Sequence, residues 1–139
     1  METRKISRSR FDGTNTTSFK SRVAIDTNIL VRALIDKNDL LAKILETAQE
    51  AHIPLPIFFE TIFVLEKVYK QHRDVITNYV STLISYQNVL TDSEILKDSV
   101  SIYRNNKNLS IIDCFALAYS NKNSLELITF DRKLIRGVK

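Results

Sequence analysis

The stretch Val23-Ala24-Ile25-Asp26-Thr27-Asn28 contains the pattern that decides the fold class of this 139-residue chain. Its three apolar residues predict a short buried strand, and Asp26 marks the end of that strand. From Asn28 to Ile35 the apolar residues continue at helical spacing. The sequence therefore predicts a strand that leads directly into a helix, which is the first step of an alternating α/β chain.

The same alternation of strand and helix patterns continues through the rest of the chain. Two helices are predicted to begin with a capping box, in which the first side chain and the one three residues later each accept a backbone hydrogen bond. Strands that alternate with helices predict a three-layer α/β/α fold whose central, mostly parallel sheet has four to five strands. The two capping boxes are Thr91 with Glu94 and Ser110 with Asp113. The further predicted helices are Leu40 to Ala51, Ile57 to Tyr69, Asp74 to Ser85, Thr91 to Tyr103 and Ser110 to Ser120, and the further strands are Ile53 to Leu55, Asn88 to Leu90 and Leu127 to Phe130.

One domain is expected, because a chain of this length can bury a single hydrophobic core but not two. We expect residues 1–21 to be a disordered basic extension and residues 22–139 to be the folded domain. The net charge of +4 arises within residues 1–22, since the remaining residues carry equal numbers of acidic and basic side chains. A basic extension can attract nucleic acid without specificity, although a tag or an unfolded extension has the same composition.

The composition also limits the kinds of site that the chain can build. Cys114 is the only cysteine, which excludes an internal disulfide and a cysteine-built zinc site. With only His52 and His72 available, a bound metal must be held by oxygen ligands, which favours hard cations such as Mg²⁺ or Mn²⁺. No apolar run approaches the roughly 18 residues of a membrane span, and the basic amino terminus is not followed by the apolar segment that is typical of a secretory signal. No membrane contact and a cytoplasmic location are therefore expected.

Four acidic residues fall where the chain switches between strands and helices: Asp26, Glu60, Asp113 and Asp131. In parallel sheets ligands bind outside the carboxyl ends of the strands, and Asp26 and Asp131 follow two predicted strands. Carboxylates that meet at such an edge repel each other by about 3 kcal/mol per pair, and divalent cations remove that repulsion. The pattern therefore favours a metal-dependent phosphoryl-transfer site.

Each of these acids also has a structural interpretation. Asp26 can cap a helix, Asp113 can complete a capping box, and Asp131 can be a turn residue. Glu60 is harder to explain in this way, because its neighbours are apolar and a carboxylate among them needs a partner or a solvated gap. The other acids are interpreted as solvated: Asp36, Glu66, Asp92, Glu94, Asp98 and Glu126.

The chain resembles the PIN domain, a metal-dependent ribonuclease family, and in particular the VapC-like toxins of toxin–antitoxin pairs, over residues 22 to 136. The segments that carry the resemblance are Val23 to Asn28 with Leu30-Val31, Glu60 with Val64-Leu65, Ser110 to Cys114 with Ala116 and Ala118, and Leu127 to Asp131. Two features depart from the family's toxins: about twenty additional residues precede the first strand, and the region after Asp131 is short.

The resemblance implies a PIN-like nuclease domain over residues 22–139 that binds Mg²⁺ or Mn²⁺ and hydrolyses RNA to 5′-phosphate and 3′-hydroxyl ends. The residues implied as catalytic metal ligands are Asp26, Glu60, Asp113 and Asp131, and those implied to orient ligands and water are Thr27, Asn28 and Thr129. The alternative is a PIN-like module that binds RNA or protein with little turnover. A purely structural domain, with all four acids as caps or turns, is a further alternative.

The resemblance also implies partners. These are an RNA substrate, an antitoxin protein and a second copy of the chain, paired through the helices Ile57 to Tyr69 and Asp74 to Ser85. Basic residues are expected near the mouth of the cleft, where they would position the RNA backbone. The basic residues considered for this role are Arg32, Lys67, Arg73, Arg132, Lys133 and Arg136.

Overall fold

The computed structural model describes residues 21–136. Most of the predicted disordered extension over residues 1–21 therefore lies outside the described residues, as do the last three residues of the predicted domain. The elements in chain order are β1 (Arg22–Ala24), α1 (Thr27–Ile35), α2 (Leu40–Thr47), β2 (Glu50–His52), α3 (Leu55–Lys67), α4 (Arg73–Ile84), β3 (Val89–Leu90), α5 (Ser93–Asn105), α6 (Ile111–Lys122) and α7 (Arg132–Ile135).

The three strands form one parallel sheet in the order β1-β2-β3. Val23 lies opposite Ala51, and Ala51 lies opposite Val89. This confirms the predicted α/β class and the parallel strands, while the stacking of the helices in two layers stays a prediction. Within residues 21–136 the sheet has three strands, so the expected count of four to five is not reached.

The predicted strand over Leu127 to Phe130 is absent, since these residues pair with no strand in the described part of the chain. Ile128 and Phe130 are exposed by 81% and 102%, whereas the alternating residues Leu127 and Thr129 are half-buried. Exposure thus alternates from one residue to the next, as it does in a strand. A short run becomes a strand only through pairing with a neighbour, and the alternating pattern alone does not provide one.

The second strand lies three residues earlier than predicted, at Glu50–His52 instead of Ile53 to Leu55. The reason is that the helix after it begins sooner, with Pro54 as its N-cap and a second proline, Pro56, in the first turn. Helix α2 correspondingly ends at Thr47, because the backbone of the next residue is already extended. The proline pair therefore marks a helix start here, which is one of the two interpretations that proline allows.

The core is built on the middle strand and on α3. Ala51 in β2 and Ile53 directly after that strand are fully buried, and Phe58, Ile62 and Leu65 of α3 are fully buried as well. Burial of this one face holds α3 in the core, where it packs against α1, α4 and α6, and leaves its other face toward solvent. The opposite face carries Glu60.

One of the two predicted capping boxes is present. Ser110 Oγ accepts a hydrogen bond of 3.1 Å from the Asp113 amide, and Asp113 Oδ2 accepts one of 3.0 Å from the Ser110 amide. The box predicted at Thr91 is absent, because α5 starts one residue later with Asp92 as its N-cap. Glu94 then occupies the second helical position instead of the third, which a capping box requires.

Glu66 is not solvated, contrary to the sequence-based interpretation. Its carboxylate pairs with Arg73 at 3.0 Å and accepts a hydrogen bond of 2.9 Å from the Tyr103 hydroxyl, with the side chains of Glu66 and Arg73 exposed by 22% and 12%. Arg73 also donates to the carbonyl oxygens of Tyr103 and Asn106, at 2.8 and 3.0 Å. The expectation that Arg73 contacts RNA is therefore wrong, because this guanidinium joins α3, α4 and α5.

No helix among residues 21–136 combines the length and the apolar character that a membrane crossing needs. Cys114 is buried as a free thiol, and burial raises its pKa to about 12. The interpretation of Cys114 as a packing residue is consistent with that environment.

Candidate functional site

The topology of the sheet brings Asp26 and Glu60 to the same place. Strands β1 and β2 are parallel neighbours, so their carboxyl ends meet at one edge of the sheet. Asp26 is the N-cap of α1, the helix that follows β1, and Glu60 lies in the second turn of α3, the helix that follows β2. Because α1 and α3 pack against each other, two acids separated by 33 intervening residues face a common space.

Thr27 connects the two carboxylates. Its backbone amide donates a hydrogen bond of 2.8 Å to Asp26 Oδ1, and its Oγ1 donates one of 2.9 Å to Glu60 Oε1. Thr27 is itself buried at the start of α1, so it is a fixed anchor between two side chains that are exposed to solvent. Asp26 therefore caps α1, as the sequence allows. The capping hydrogen bond also orients its carboxylate toward Thr27, the residue that binds Glu60.

The two carboxylates open onto a cavity of about 290 Å³. Its polar wall consists of Asp26, Thr27, Asn28 and Glu60, and its apolar wall consists of Val31, Val64 and Tyr69. The cavity therefore combines acidic oxygens on one side with an apolar surface on the other. Glu60, which the sequence placed among apolar neighbours, faces this solvated gap and does not need a buried cation as its partner.

Asp113 does not line this cavity. It lies in the first turn of α6, where its Oδ2 is used by the capping box. Helix α6 does pack against α3, since the Phe115 ring lies 5.1 Å from the ring of Phe59, the residue before Glu60. Asp113 thus lies on the helix next to Glu60 and carries the structural role that the sequence allowed.

Asp131 is the N-cap of α7 and also has a structural role. Its Oδ1 accepts a hydrogen bond of 2.9 Å from the Lys133 amide, and its own amide donates one of 3.0 Å to Thr129 Oγ1. The contact with Thr129 is the local bond expected of a turn. Neither residue lines the cavity of Asp26 and Glu60.

The arrangement can be compared with what a divalent cation requires. Among residues 21–136 no three side chains of the types His, Cys, Asp and Glu lie close enough together to hold an ion. The four-acid cluster therefore stays a prediction. The pair Asp26 and Glu60 nevertheless fits Mg²⁺, which proteins commonly bind through one or two carboxylates while the ion keeps several waters and contacts substrate phosphates. The Asn28 amide and the Thr27 hydroxyl provide further oxygen atoms on the same wall.

The polar wall of the cavity was predicted from the sequence, whereas its apolar wall was not. Val31 follows Thr27 by four residues and Val64 follows Glu60 by four, so helical spacing from these predicted site residues could have found both. Tyr69 lies beyond the end of α3, and no spacing rule reaches it. Its side chain is a large apolar group at the mouth of the cavity, exposed by 43%.

A comparison with protein-family models finds a match to the PIN domain over residues 23–138. No curated protein matches the chain. The matched region contains every element of the described structure except Arg22, the first residue of β1, and includes all four of the acids discussed above. The PIN domain is a nuclease-type domain whose members generally use divalent metal ions. Because the match spans most of the sequence, the chain belongs to the PIN domain family.

Proposed function

We propose that this protein is an Mg²⁺- or Mn²⁺-dependent endoribonuclease that hydrolyses RNA phosphodiester bonds in the Asp26–Glu60 cavity. Membership of a nuclease-type family supports the reaction class. The observation that carries the proposal is the pairing of two solvent-exposed carboxylates on one cavity wall, held by a single buried threonine. A domain built only for stability has no evident need for that pairing.

The hydrogen bonds leave each carboxylate with one oxygen available. Thr27 engages Asp26 Oδ1 and Glu60 Oε1, while Asp26 Oδ2 and Glu60 Oε2 receive no hydrogen bond from residues 21–136. Those two oxygens are the atoms that we propose as metal ligands and as acceptors for a water proton. Thr27 and Asn28 would fix the carboxylates and water in position, which metal sites require as much as the ligands themselves.

Asp113 and Asp131 are proposed as the remaining members of the acidic group, with Thr129 orienting Asp131. Each cap occupies one oxygen of the carboxylate, and Asp113 Oδ1 and Asp131 Oδ2 receive no hydrogen bond within the described part of the chain. A bound divalent ion supplies Lewis acidity, an activated water and charge compensation on phosphate oxygens. The protein's own contribution is to hold the carboxylates in place.

The apolar wall suggests how RNA would lie in the cavity. Tyr69 and the partly exposed Val64 offer a surface for a base or a ribose, next to the carboxylates that would face the phosphate, while Val31 beneath them is buried. An exposed aromatic ring binds any unstacked base through its face, by about 1–3 kcal/mol per base. We therefore expect single-stranded RNA to be the better substrate.

The test is a cleavage assay on single-stranded RNA with and without Mn²⁺, with product ends read by sequencing. Asp26→Asn and Glu60→Gln should each lower the rate by about a hundredfold or more, because each removes a proposed ligand that positioning alone cannot replace. Asp98→Asn and Glu126→Gln are matched controls, since both acids are exposed and lie outside the cavity. Cleavage that persists unchanged in Asp26→Asn would disprove the site.

A binding module with little turnover is the second candidate function. The observation that favours it is that Asp113 and Asp131 both act as caps and that no three acids gather within residues 21–136. RNA binding without metal-dependent cleavage, and calorimetric titration without Mn²⁺ binding, would support this function over hydrolysis.

We also propose that the enzyme is the toxin of a toxin–antitoxin pair that acts in the cytoplasm as a homodimer. The VapC-like resemblance supports this proposal, and α3 and α4 are the helices proposed for the dimer contact. Expression of the chain should arrest growth, and co-expression of an adjacent small reading frame should relieve the arrest. Growth arrest that persists in Glu60→Gln would show that any toxicity is unrelated to the proposed chemistry.

A further inference from the structure

A groove between α4 and α5 gathers polar side chains that the candidate active site does not use. Its volume is about 340 Å³, and all but one of its lining residues carry a polar side chain. The polar residues are Thr77 and Ser81 on α4, and Lys97, Ser101, Arg104 and Asn105 on α5. Those of α4 are one helical turn apart and those of α5 recur at helical spacing, so each helix presents one continuous polar strip to the groove.

The lining of the groove is positively charged. Lys97 forms no ion pair with any residue in the range 21–136. Arg104 uses its Nε to bind Asp74 Oδ1 at 2.9 Å, which leaves its two terminal nitrogens without a hydrogen bond to the described residues. No carboxylate is among the residues that line the groove in this part of the chain. The groove therefore offers hydrogen-bond donors and positive charge to whatever binds in it.

Thr77 provides an independent observation that points to a ligand in the groove. The residue is only 7% exposed, and its Oγ1 is shielded from solvent without a hydrogen-bond partner among the described residues. Folded proteins rarely leave a buried hydroxyl unpaired, since the lost water contacts are not replaced. Threonine populates two side-chain rotamers in helices, so the hydroxyl can turn toward the groove when an acceptor binds there.

We propose that this groove binds a phosphate group, at a place separate from the candidate active site. Lys97 and the terminal nitrogens of Arg104 would supply charge-assisted hydrogen bonds. The hydroxyls of Thr77, Ser81 and Ser101 would donate to the remaining oxygens. A phosphate group suits this set of donors better than a carboxylate, because it has more acceptor oxygens to share among them. An RNA phosphodiester and a free phosphate monoester offer the same chemistry.

The experiment is an NMR titration of the ¹⁵N-labelled full chain with inorganic phosphate at constant ionic strength and without divalent metal. The amides of Ser81 and Ser101 should shift along one saturable curve. Lys97→Met should weaken the apparent affinity by roughly tenfold or more, because a hydrogen bond from a charged donor is lost. Lys107→Met removes the same charge at an exposed position that does not line the groove and should bind phosphate as the wild type does.

Two further ligands distinguish the source of the phosphate. A short oligouridylate that shifts these amides in the wild type but not in Lys97→Met would assign the groove to RNA. Shifts with inorganic phosphate and a nucleoside monophosphate alone would assign it to a free phosphate. Equal affinity in the wild type and Lys97→Met, or equal weakening by Lys97→Met and Lys107→Met, would overturn the proposal. The result is independent of the nuclease proposal, because binding is measured without metal and without turnover.

Discussion

Thr27 Oγ1 donates a hydrogen bond of 2.9 Å to Glu60 Oε1 and so joins the first residue of α1 to the second turn of α3. Thr27 is buried and Glu60 is exposed. The hydrogen bond therefore restricts the rotamers of a side chain that solvent alone would leave free to move. The hydroxyl of Thr27 is thus placed to set the direction of the Glu60 carboxylate.

Thr27→Val should separate this positioning role from a role in stability. Valine has the same shape but no hydroxyl, so Glu60 should lose its orientation and metal-dependent cleavage should fall by about tenfold to a hundredfold. The free energy of unfolding should fall by only about 1 kcal/mol, because the exposed Glu60 carboxylate regains water. Cleavage rates and urea unfolding on the same samples measure the two effects.

Two variants control that comparison. Thr27→Ser keeps the hydroxyl and should restore most of the rate. Thr82→Val removes a threonine hydroxyl whose bond is to the Asn78 carbonyl on the surface of α4, and it should leave cleavage unchanged. A Thr27→Val protein that cleaves as fast as the wild type would show that Glu60 needs no support from Thr27.

Arg73→Met should be among the more damaging single substitutions in the chain. The substitution removes the Arg73 Nε that lies 3.0 Å from Glu66 Oε2, so the Glu66 carboxylate is left largely buried without its cation. It also removes the guanidinium, whose Cζ lies 3.9 Å from the centre of the Tyr103 ring. Removing one partner of a fully buried ion pair lowers the free energy of unfolding by about 3–5 kcal/mol. Because the Glu66–Arg73 pair is still partly exposed, we expect a loss at or below the lower end of that range. Denaturant unfolding should show the loss directly.

The double variant Glu66→Met with Arg73→Met should recover much of that stability, because no unpaired charge remains. Arg104→Met provides the surface comparison: its pair with Asp74 is exposed by 48% and 70%, and such pairs contribute at most about 1 kcal/mol. Equal losses for Arg73→Met and Arg104→Met would mean that burial does not strengthen the Glu66 pair.

The parts of the fold that were predicted correctly depend on local rules. The β1–α1 junction follows from an apolar run and a capping aspartate, and the Ser110 box follows from a fixed spacing. The strand itself differs from the prediction, because β1 covers Arg22–Ala24 and is exposed at both ends, whereas a buried strand over Val23 to Ile25 was expected. The site predicted from the sequence includes four residues that line one cavity: Asp26, Thr27, Asn28 and Glu60. They lie together because β1 and β2 are parallel neighbours, so the helices that follow them begin at the same edge of the sheet.

The errors arose where the outcome depends on partners distant in sequence. Leu127 to Phe130 has the alternation of a strand, but only a neighbouring strand can supply the pairing. Glu66 follows a helical apolar run and looks solvated, yet Arg73 and Tyr103 reach it from two other helices. No local pattern in the sequence reports such a contact.

Asp113→Asn and Ser110→Ala should distinguish the chemical role of Asp113 from its capping role. Ser110→Ala removes the hydroxyl that accepts from the Asp113 amide and should cost about 1 kcal/mol, with cleavage retained. Asp113→Asn keeps a side chain that can still accept from the Ser110 amide, so it should cost less stability. If Asp113 is a metal ligand, the same substitution should lower cleavage by about a hundredfold or more. Equal cleavage rates in the two variants would show that Asp113 only caps the helix and takes no part in the chemistry.

Cys114 should make stability depend on pH in the alkaline range. Burial raises its pKa from 9.0 to about 12, so between these values the native thiol keeps its proton while the unfolded thiol loses it. The unfolded state then binds fewer protons, and stability should fall as pH rises, by at most about 1.4 kcal/mol per pH unit. The lower part of this range, near pH 9.0, is the cleanest window, because Tyr79 and Tyr103, whose pKa values are also raised by burial, contribute increasingly as pH approaches their ordinary value of 10.0. Urea unfolding across that window should show a decline in the wild type that Cys114→Ala reduces, and identical slopes in the two proteins would contradict the assignment.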